Sequence, residues 1–177
     1  PKNNMVKWNL NGLFESFNEH KLDSFITDLE KTAIKFQKIR PNLKDISQEK
    51  ILSFLKEKEQ VYENISKVKA YINLKLSEDT SSHKYNALDS KFEQARTEFE
   101  NKTLFFDLWW ISLDSNKAEK IISQAKEYKF YLKNLRKFKE HTLKENEEKI
   151  INTKNLTGAN SVSNIYDIIT NAYTFQF

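Results

Sequence analysis

The sequence contains no cysteine and is poor in glycine and proline. Only 2 Gly and 2 Pro occur among its 177 residues, whereas average proteins contain roughly 7% and 5% of these residues. Long helices are therefore expected, because a sheet of many short strands needs frequent turn residues. Without cysteine the chain can form neither a disulfide nor a thiolate metal ligand, and this favours a cytoplasmic location.

Long apolar runs are also missing from the chain. No run approaches the roughly 20 residues that a helix needs to cross a bilayer, and residues 1–7 lack the apolar centre of a secretory signal. We therefore expect no membrane partner.

Neither sign of charge dominates the sequence. The 29 basic and 25 acidic side chains are largely interspersed and give a net charge of +4. A protein that binds phosphates concentrates positive charge on one face, so we expect no nucleic-acid partner. The opposing hypothesis, a nucleic-acid-binding bundle, depends on an isoelectric point near 9.0 and on one lysine stripe. That stripe comprises Lys126, Lys129, Lys133 and Lys137, and a solvated helix face explains it better.

What the chain does contain is aromatic residues in helical periodicity. Aromatic side chains make up 13% of the sequence, which indicates a folded protein because disordered chains are poor in them. Apolar residues recur three and four positions apart, the spacing of one helix face. The pattern predicts an all-α fold, a bundle of about six helices with one long antiparallel helical hairpin. The hairpin arms are a helix at about 47–77 and a helix that begins at 83–86.

Several residues predict where helices begin and end. Ser47 and either Asp114 or Ser115 can cap helices, because their side-chain oxygens can accept free backbone N–H groups. Thr142 and Glu145 have the spacing of a capping box. Gly158 follows a periodic run and predicts a left-handed C-terminal cap.

The two ends of the chain have patterns of their own. Trp8, Leu10 and Phe14 are expected to fix an irregular segment to the body. The last helix is expected to be amphipathic, and the alternation in Phe175-Gln-Phe177 is typical of the start of a strand. An apolar end of that kind suggests a cut inside a larger protein.

One part of the sequence resembles a known family. The features that carry the resemblance are Tyr131, Leu132 and Arg136, then His141 and Leu143, the pair Glu147 and Glu148, and Thr157 before Gly158. In this order they resemble the end of the N-terminal helical domain of oligoendopeptidase F, a zinc metallopeptidase of the thimet-oligopeptidase type. The resemblance is strongest over residues 128–177 and weaker at residues 8–10 and 76–82. Lys144 and Glu140 depart from the family pattern, which commonly has serine and often has proline at these places.

The resemblance implies a domain assignment and a function. Residues 1–177 would be the N-terminal helical domain of a zinc metalloendopeptidase that hydrolyses short oligopeptides, with a hairpin part at 1–113 and a family-specific part at 114–177. Such a domain packs beside the catalytic zinc domain, which is absent from this chain, and walls the channel that admits peptides. Its expected partners are that catalytic domain and short peptide substrates. The alternative is a free-standing helical interaction module that docks a partner helix with its aromatic end.

No residue of the chain is expected to be catalytic, to bind a cofactor or to bind a metal. A zincin needs His-Glu-x-x-His on one helix, but His20, His83 and His141 lie far apart in the sequence. Zinc is therefore expected only in the parent enzyme. Glu147 and Glu148 are adjacent on a helix and point about 100° apart, so they do not converge on one substrate.

Three further features each allow a functional and a structural interpretation. His141 could be a ligand or a proton shuttle, but a structural role between helices is favoured. Arg136 could hold a peptide terminus, but its planar donor group suits carbonyl oxygens at a helix end or a buried carboxylate. The aromatic cluster could bind a ligand or a partner, but on so apolar a helix it is more often core. Its members are Phe105, Phe106, Trp109 and Trp110.

Overall fold

The structure, a computed structural model, describes residues 8–171 and residue 173 and confirms the all-α fold. Within these residues there are seven α-helices, against about six predicted, and no strand. The expected strand at Phe175-Gln-Phe177 lies outside the described residues. The helices are α1 Glu19–Gln37, α2 Gln48–Glu78, α3 His83–Ser112, α4 Ser115–Ser123, α5 Lys129–Arg136, α6 Glu145–Thr157 and α7 Ala159–Asn171, and short 3-10 turns occupy Arg40–Asp45, Lys126–Tyr128 and Lys139–His141.

The long hairpin predicted from the apolar stripes is present. Helices α2 and α3 pack against each other, and α1 packs along α3 to complete a three-helix core. Phe36 of α1, Phe54 of α2 and Phe106 of α3 are almost fully buried in one aromatic chain, with ring centroids 4.6 Å and 4.3 Å apart for successive pairs. Helices α4 and α5 close one end of the hairpin through buried Ile122 and Leu132.

Two of the predicted helix caps form as expected. The Ser47 hydroxyl accepts a hydrogen bond from the Lys50 backbone N–H at 3.4 Å. The Asp114 carboxylate accepts from the N–H groups of Asn116 and Lys117 at 2.9 Å and 3.3 Å. These bonds satisfy N–H groups that have no partner within the first turn of a helix.

The predicted capping box at Thr142 and Glu145 is wrong. Thr142 donates its hydroxyl to the Phe138 carbonyl at 2.7 Å, so it closes the preceding turn. The helix begins later, and Glu147 accepts from the backbone N–H of Lys144 at 2.9 Å. Glu145 turns outward to Arg40, whose two guanidinium nitrogens lie 3.0 Å and 2.6 Å from its carboxylate oxygens.

The predicted left-handed cap at Gly158 is also wrong. Gly158 has φ −99° and ψ −110°, and its N–H bonds the Lys154 carbonyl at 2.8 Å. A Cβ at this position would lie only 2.8 Å from the same carbonyl oxygen. Glycine is therefore needed here because its Cα lies against the backbone of the last turn of α6.

The N-terminal segment is held differently from the prediction. Leu10 and Phe14 pack against the core as expected, and the Phe14 ring meets that of Tyr71 edge-on at 5.7 Å. Trp8 is not an anchor, because its side chain is 48% exposed. The segment is tied there by its backbone instead, since the Trp8 N–H donates to Glu78 Oε1 at 3.0 Å.

Helix α6 makes polar contacts with α3, and helix α7 packs against α6. No side chain of α6 is buried, and Asn101 of α3 bonds Thr153 and Asn152 of α6 at 3.2 Å and 3.0 Å. Helix α7 has the predicted amphipathic pattern, but its apolar residues are exposed. We call these residues, together with two from α6, the α6–α7 apolar surface: Ile150, Ile151, Val162, Ile165, Tyr166, Ile168 and Ile169.

Candidate functional site

A cavity of about 490 Å³ opens between α2, α3 and the segment that leads into α5. It is lined by one aliphatic, three tyrosine and four charged side chains, namely Leu55, Lys58, Glu59, Tyr62, Asp107, Glu127, Tyr128 and Tyr131. Helix α2 supplies four of these residues because they lie three and four positions apart and so share one face.

An ion pair between a buried lysine and a partly buried aspartate lines the cavity. Lys58 is only 5% exposed, and its Nζ lies 2.6 Å and 2.7 Å from the two carboxylate oxygens of Asp107. The same Nζ donates to the Tyr131 hydroxyl at 3.2 Å. An ammonium group has three donors and no acceptor, so these contacts occupy it and join α2, α3 and α5.

Aromatic rings surround the Lys58 ammonium. Its Nζ lies 5.8 Å from the ring centroid of Tyr62 and 5.9 Å from those of Phe106 and Tyr131. Ring faces attract a cation within about 6 Å. At the rim of the cavity, the Tyr128 hydroxyl donates to the exposed Glu59 carboxylate at 2.8 Å.

The electrostatics of the cavity favour binding over catalysis. Burial acts to lower the pKa of Lys58, but Asp107 outweighs it and the pKa is raised, so Lys58 carries no free amine for nucleophilic attack. Burial raises the pKa of Tyr62 to about 12, and burial with the Glu59 hydrogen bond raises the pKa of Tyr128 to about 12. A general acid or base works best with a pKa near the operating pH, and these three groups are far from it.

Arg136 occupies the structural place expected for it. Its Nη1 donates to the Trp110 carbonyl at 3.0 Å, and its Nη2 donates to the Leu113 carbonyl at 2.9 Å. These are carbonyls at the C-terminal end of α3. The guanidinium therefore caps a helix, as its planar donor geometry predicted.

The other residues for which the sequence allowed a functional role do not come together in one site. His141 is exposed in the turn between α5 and α6 and is not packed between helices. Phe105, Phe106 and Trp110 are buried, so this part of the aromatic cluster is core, as favoured above. The residues of the lysine stripe, Lys126, Lys129, Lys133 and Lys137, are all exposed, which agrees with a solvated face.

The sequence patterns did not predict the residues of the cavity, although the position of Lys58 was informative. Lys58 lies on the apolar stripe of α2, three residues after Leu55 and four before Tyr62. A lysine in such a position is almost never buried unless it is paired. The stripe could thus have identified Lys58, but not its partners, which lie 49 and 73 residues away in the sequence.

Within the described part of the chain, no three His, Cys, Asp or Glu side chains form a group that could hold a metal ion. The residues present there do not fit a zinc site. Over the same residues, no helix has the length and apolar character needed to cross a membrane.

Comparison with known proteins links one part of the chain to a peptidase family. The family model described as Oligopeptidase F, which represents an N-terminal domain, matches residues 109–175. The searches of curated proteins and of solved structures found no match. The matched residues include most of the region where the sequence resemblance was strongest, and the weaker resemblance at residues 8–10 and 76–82 lies outside them. The resemblance is therefore confirmed over residues 109–175, where this chain carries the pattern of the oligopeptidase F N-terminal domain.

Proposed function

We propose that this chain is the N-terminal helical part of a zinc metalloendopeptidase that hydrolyses short oligopeptides. In this proposal it forms one wall of the substrate channel and performs no catalysis alone. The observation that carries the proposal is the family match over residues 109–175.

The α6–α7 apolar surface supports this proposal. It lies within the matched segment, and its residues are uncovered in this chain, with Ile165 55% and Ile169 50% exposed. A concentration of exposed apolar side chains on two neighbouring helices is a feature of protein interfaces. We assign it to contact with the catalytic domain, which would cover it in the parent enzyme.

The proposal divides the work between two domains. The zinc, its ligands and the general base belong to the catalytic domain. The helical domain contributes steric selection, because a narrow channel admits short peptides and excludes folded proteins. A cytoplasmic location belongs to the same proposal and can be tested by cell fractionation.

The first test is the mass of the native product in its source cells, measured with an antibody raised against this chain. We expect a band well above 21.0 kDa, and the immunopurified product should contain zinc and hydrolyse short peptides. Chelation should abolish that hydrolysis, and added zinc should restore it. A band at 21.0 kDa without a co-purifying zinc-bearing subunit would refute the proposal.

A second test concerns the assignment of the α6–α7 apolar surface. Ile165→Glu with Ile169→Glu should leave the helix content of the isolated chain unchanged, because both side chains are exposed. In the full-length enzyme the same changes should weaken domain packing, seen as faster limited proteolysis between the domains. Ile34→Glu is the matched control, since Ile34 is 54% exposed on α1 and lies outside the matched residues.

The alternative is a free-standing helical interaction module. The same exposed apolar surface favours it, because it could dock a partner helix. Docking through the aromatic cluster, as the sequence suggested, is less favoured. Phe105, Phe106 and Trp110 are buried, so little of the cluster is accessible to a partner. Covalent continuation of the native chain into a His-Glu-x-x-His region distinguishes the two functions.

A further inference from the structure

The cavity between α2, α3 and α5 has the size and enclosure of a ligand site. Its volume of about 490 Å³ lies within the range of about 300–1,000 Å³ typical of small-molecule pockets. Its walls come from four elements, α2, α3, the 3-10 turn Lys126–Tyr128 and α5, and the Lys58–Asp107 pair fixes two of them relative to each other.

The charge of the lining identifies the kind of ligand. One lysine and three carboxylates line the cavity, so its formal charge is −2. The lysine cannot readily take an anionic ligand, because Asp107 and Tyr131 already accept from its ammonium group. The charges left without a neutralising partner in the lining are Glu59 and Glu127. A cation is therefore the favoured occupant.

The aromatic side chains of the lining also favour a cationic ligand. Tyr62, Tyr128 and Tyr131 line the cavity, and faces of tyrosine rings attract ammonium groups. The burial and the pKa of Lys58 describe the charge environment inside the cavity. It is almost fully buried, yet its pKa is raised, because Asp107 and the tyrosines outweigh the cost of burial. Asp107 thus neutralises Lys58, and the net negative charge of the lining comes from Glu59 and Glu127.

We propose that this cavity binds the cationic end of a short peptide. The ammonium group donates to the rim carboxylates of Glu59 and Glu127, and the adjoining apolar side chain packs against Tyr62, Tyr128 and Leu55. The naming of a peptide rests on the proposed function above. The cationic group can be a peptide α-ammonium or a lysine side chain, which share this chemistry.

Binding to the purified chain by calorimetry tests the inference. The probes are Leu-Ala-Ala amide, its N-acetyl form and N-acetyl-Lys-Ala-Ala amide. We expect the first or third to bind and the acetylated leucine peptide to bind at least about tenfold more weakly, since a charge-assisted hydrogen bond is worth more than a factor of ten. Which of the two binds identifies the source of the ammonium group.

Variants locate the binding site without disturbing the fold. Glu59→Gln with Glu127→Gln should weaken binding about tenfold or more, and glutamine at position 59 can still accept from Tyr128. Glu119→Gln, an exposed change outside the cavity lining, should leave affinity unchanged. Unchanged far-UV circular dichroism would show that each variant folds.

Three results would overturn the inference. These are no binding of either cationic probe, equal binding of the acetylated leucine peptide, and full affinity in the folded double variant.

Failure of this inference can be distinguished from failure of the proposed function. If a zinc-containing parent product hydrolyses peptides but the cavity binds none of them, only this inference falls. If the cavity binds an ammonium group but no larger peptidase exists, the proposed function falls and the cation site stands.

Discussion

The Arg136 guanidinium lies over the Trp110 ring, with its central carbon 6.0 Å from the ring centroid, and it also donates to the Trp110 carbonyl at 3.0 Å. The same tryptophan also bonds to α5, since its indole Nε1–H donates a hydrogen bond to the Leu132 carbonyl at 2.9 Å. This reciprocal contact fixes α5 to the end of the long hairpin.

Replacement of Arg136 should therefore loosen the junction between α3 and α5. We expect Arg136→Lys to lower the free energy of unfolding by about 1–3 kcal/mol, because one ammonium group cannot reproduce two divergent bonds to partly buried carbonyls. Urea denaturation measures the loss. Lys137→Gln, an exposed neighbour, is the control and should stay within about 0.5 kcal/mol of the parent chain. Equal stability of both variants would contradict the helix-capping role of Arg136.

The Lys58–Asp107 pair can be examined by a double-mutant cycle. Asp107→Leu alone should cost about 3–5 kcal/mol, because it leaves the buried Lys58 ammonium without its partner. Lys58→Met should cost less, since the Asp107 side chain is 24% exposed and keeps contact with water. The double variant should cost less than the sum of the two, since neither charge then remains. Urea unfolding of the four chains measures the coupling. Additive costs would mean that the pair does not act as a unit in the folded state.

Tyr62 should make the protein less stable at alkaline pH. Its pKa is raised from 10.0 to about 12, mainly by burial, so the unfolded chain loses this proton first. The stabilising effect is fully present below pH 10 and is lost as the pH rises from 10 to about 12, amounting to about 2–3 kcal/mol. The contribution of Lys58 to stability changes with pH in the same direction. Its pKa is raised in the folded state, so this stability is lost as the pH rises through the folded-state pKa.

The measurement is the free energy of unfolding of the parent chain and of Tyr62→Phe at several values between pH 8 and pH 12. The variant keeps the ring and removes the ionisable group, so its stability should fall less over this interval. Parallel curves for the two proteins would contradict the assignment.

Gly158 should resist substitution for a reason unrelated to left-handed geometry. In Gly158→Ala the new Cβ would lie 2.8 Å from the Lys154 carbonyl oxygen, and we expect a local cost of about 1–3 kcal/mol. Hydrogen exchange of the α7 amides measures this cost directly. Gly12→Ala is the matched control, because a Cβ there would meet no atom within 4 Å. Similar exchange in both variants would show that the close approach at Gly158 is not limiting.

Much of the fold could be predicted because helices are set by short-range spacing. The stripe through Ile51, Leu55 and Ile72 predicted a helix at 47–77, and α2 spans Gln48–Glu78. The caps at Ser47 and Asp114 are also local, since each side chain bonds N–H groups two or three residues ahead. The capping box failed because two acceptable starts lie two residues apart at Thr142 and Lys144, and Arg40, a residue 105 positions away from Glu145, favours the later one.

The candidate site could not be predicted in the same way. Lys58, Asp107 and Tyr131 come from three helices, and no local pattern specifies which charged residues of the chain will meet. The exposure of the α6–α7 apolar surface was equally hidden, because an amphipathic stripe looks the same whether or not a neighbour covers it.

The sequence by itself determined the helical class, the long hairpin and the resemblance to oligopeptidase F, because these depend on residue spacing and short motifs. Only the tertiary structure decided that Lys58 is buried against Asp107, that tyrosines enclose a cavity beside this pair, and that α7 leaves its apolar residues uncovered. The physical reason is that periodicity fixes which residues share a face, whereas the packing of distant helices fixes what that face contacts.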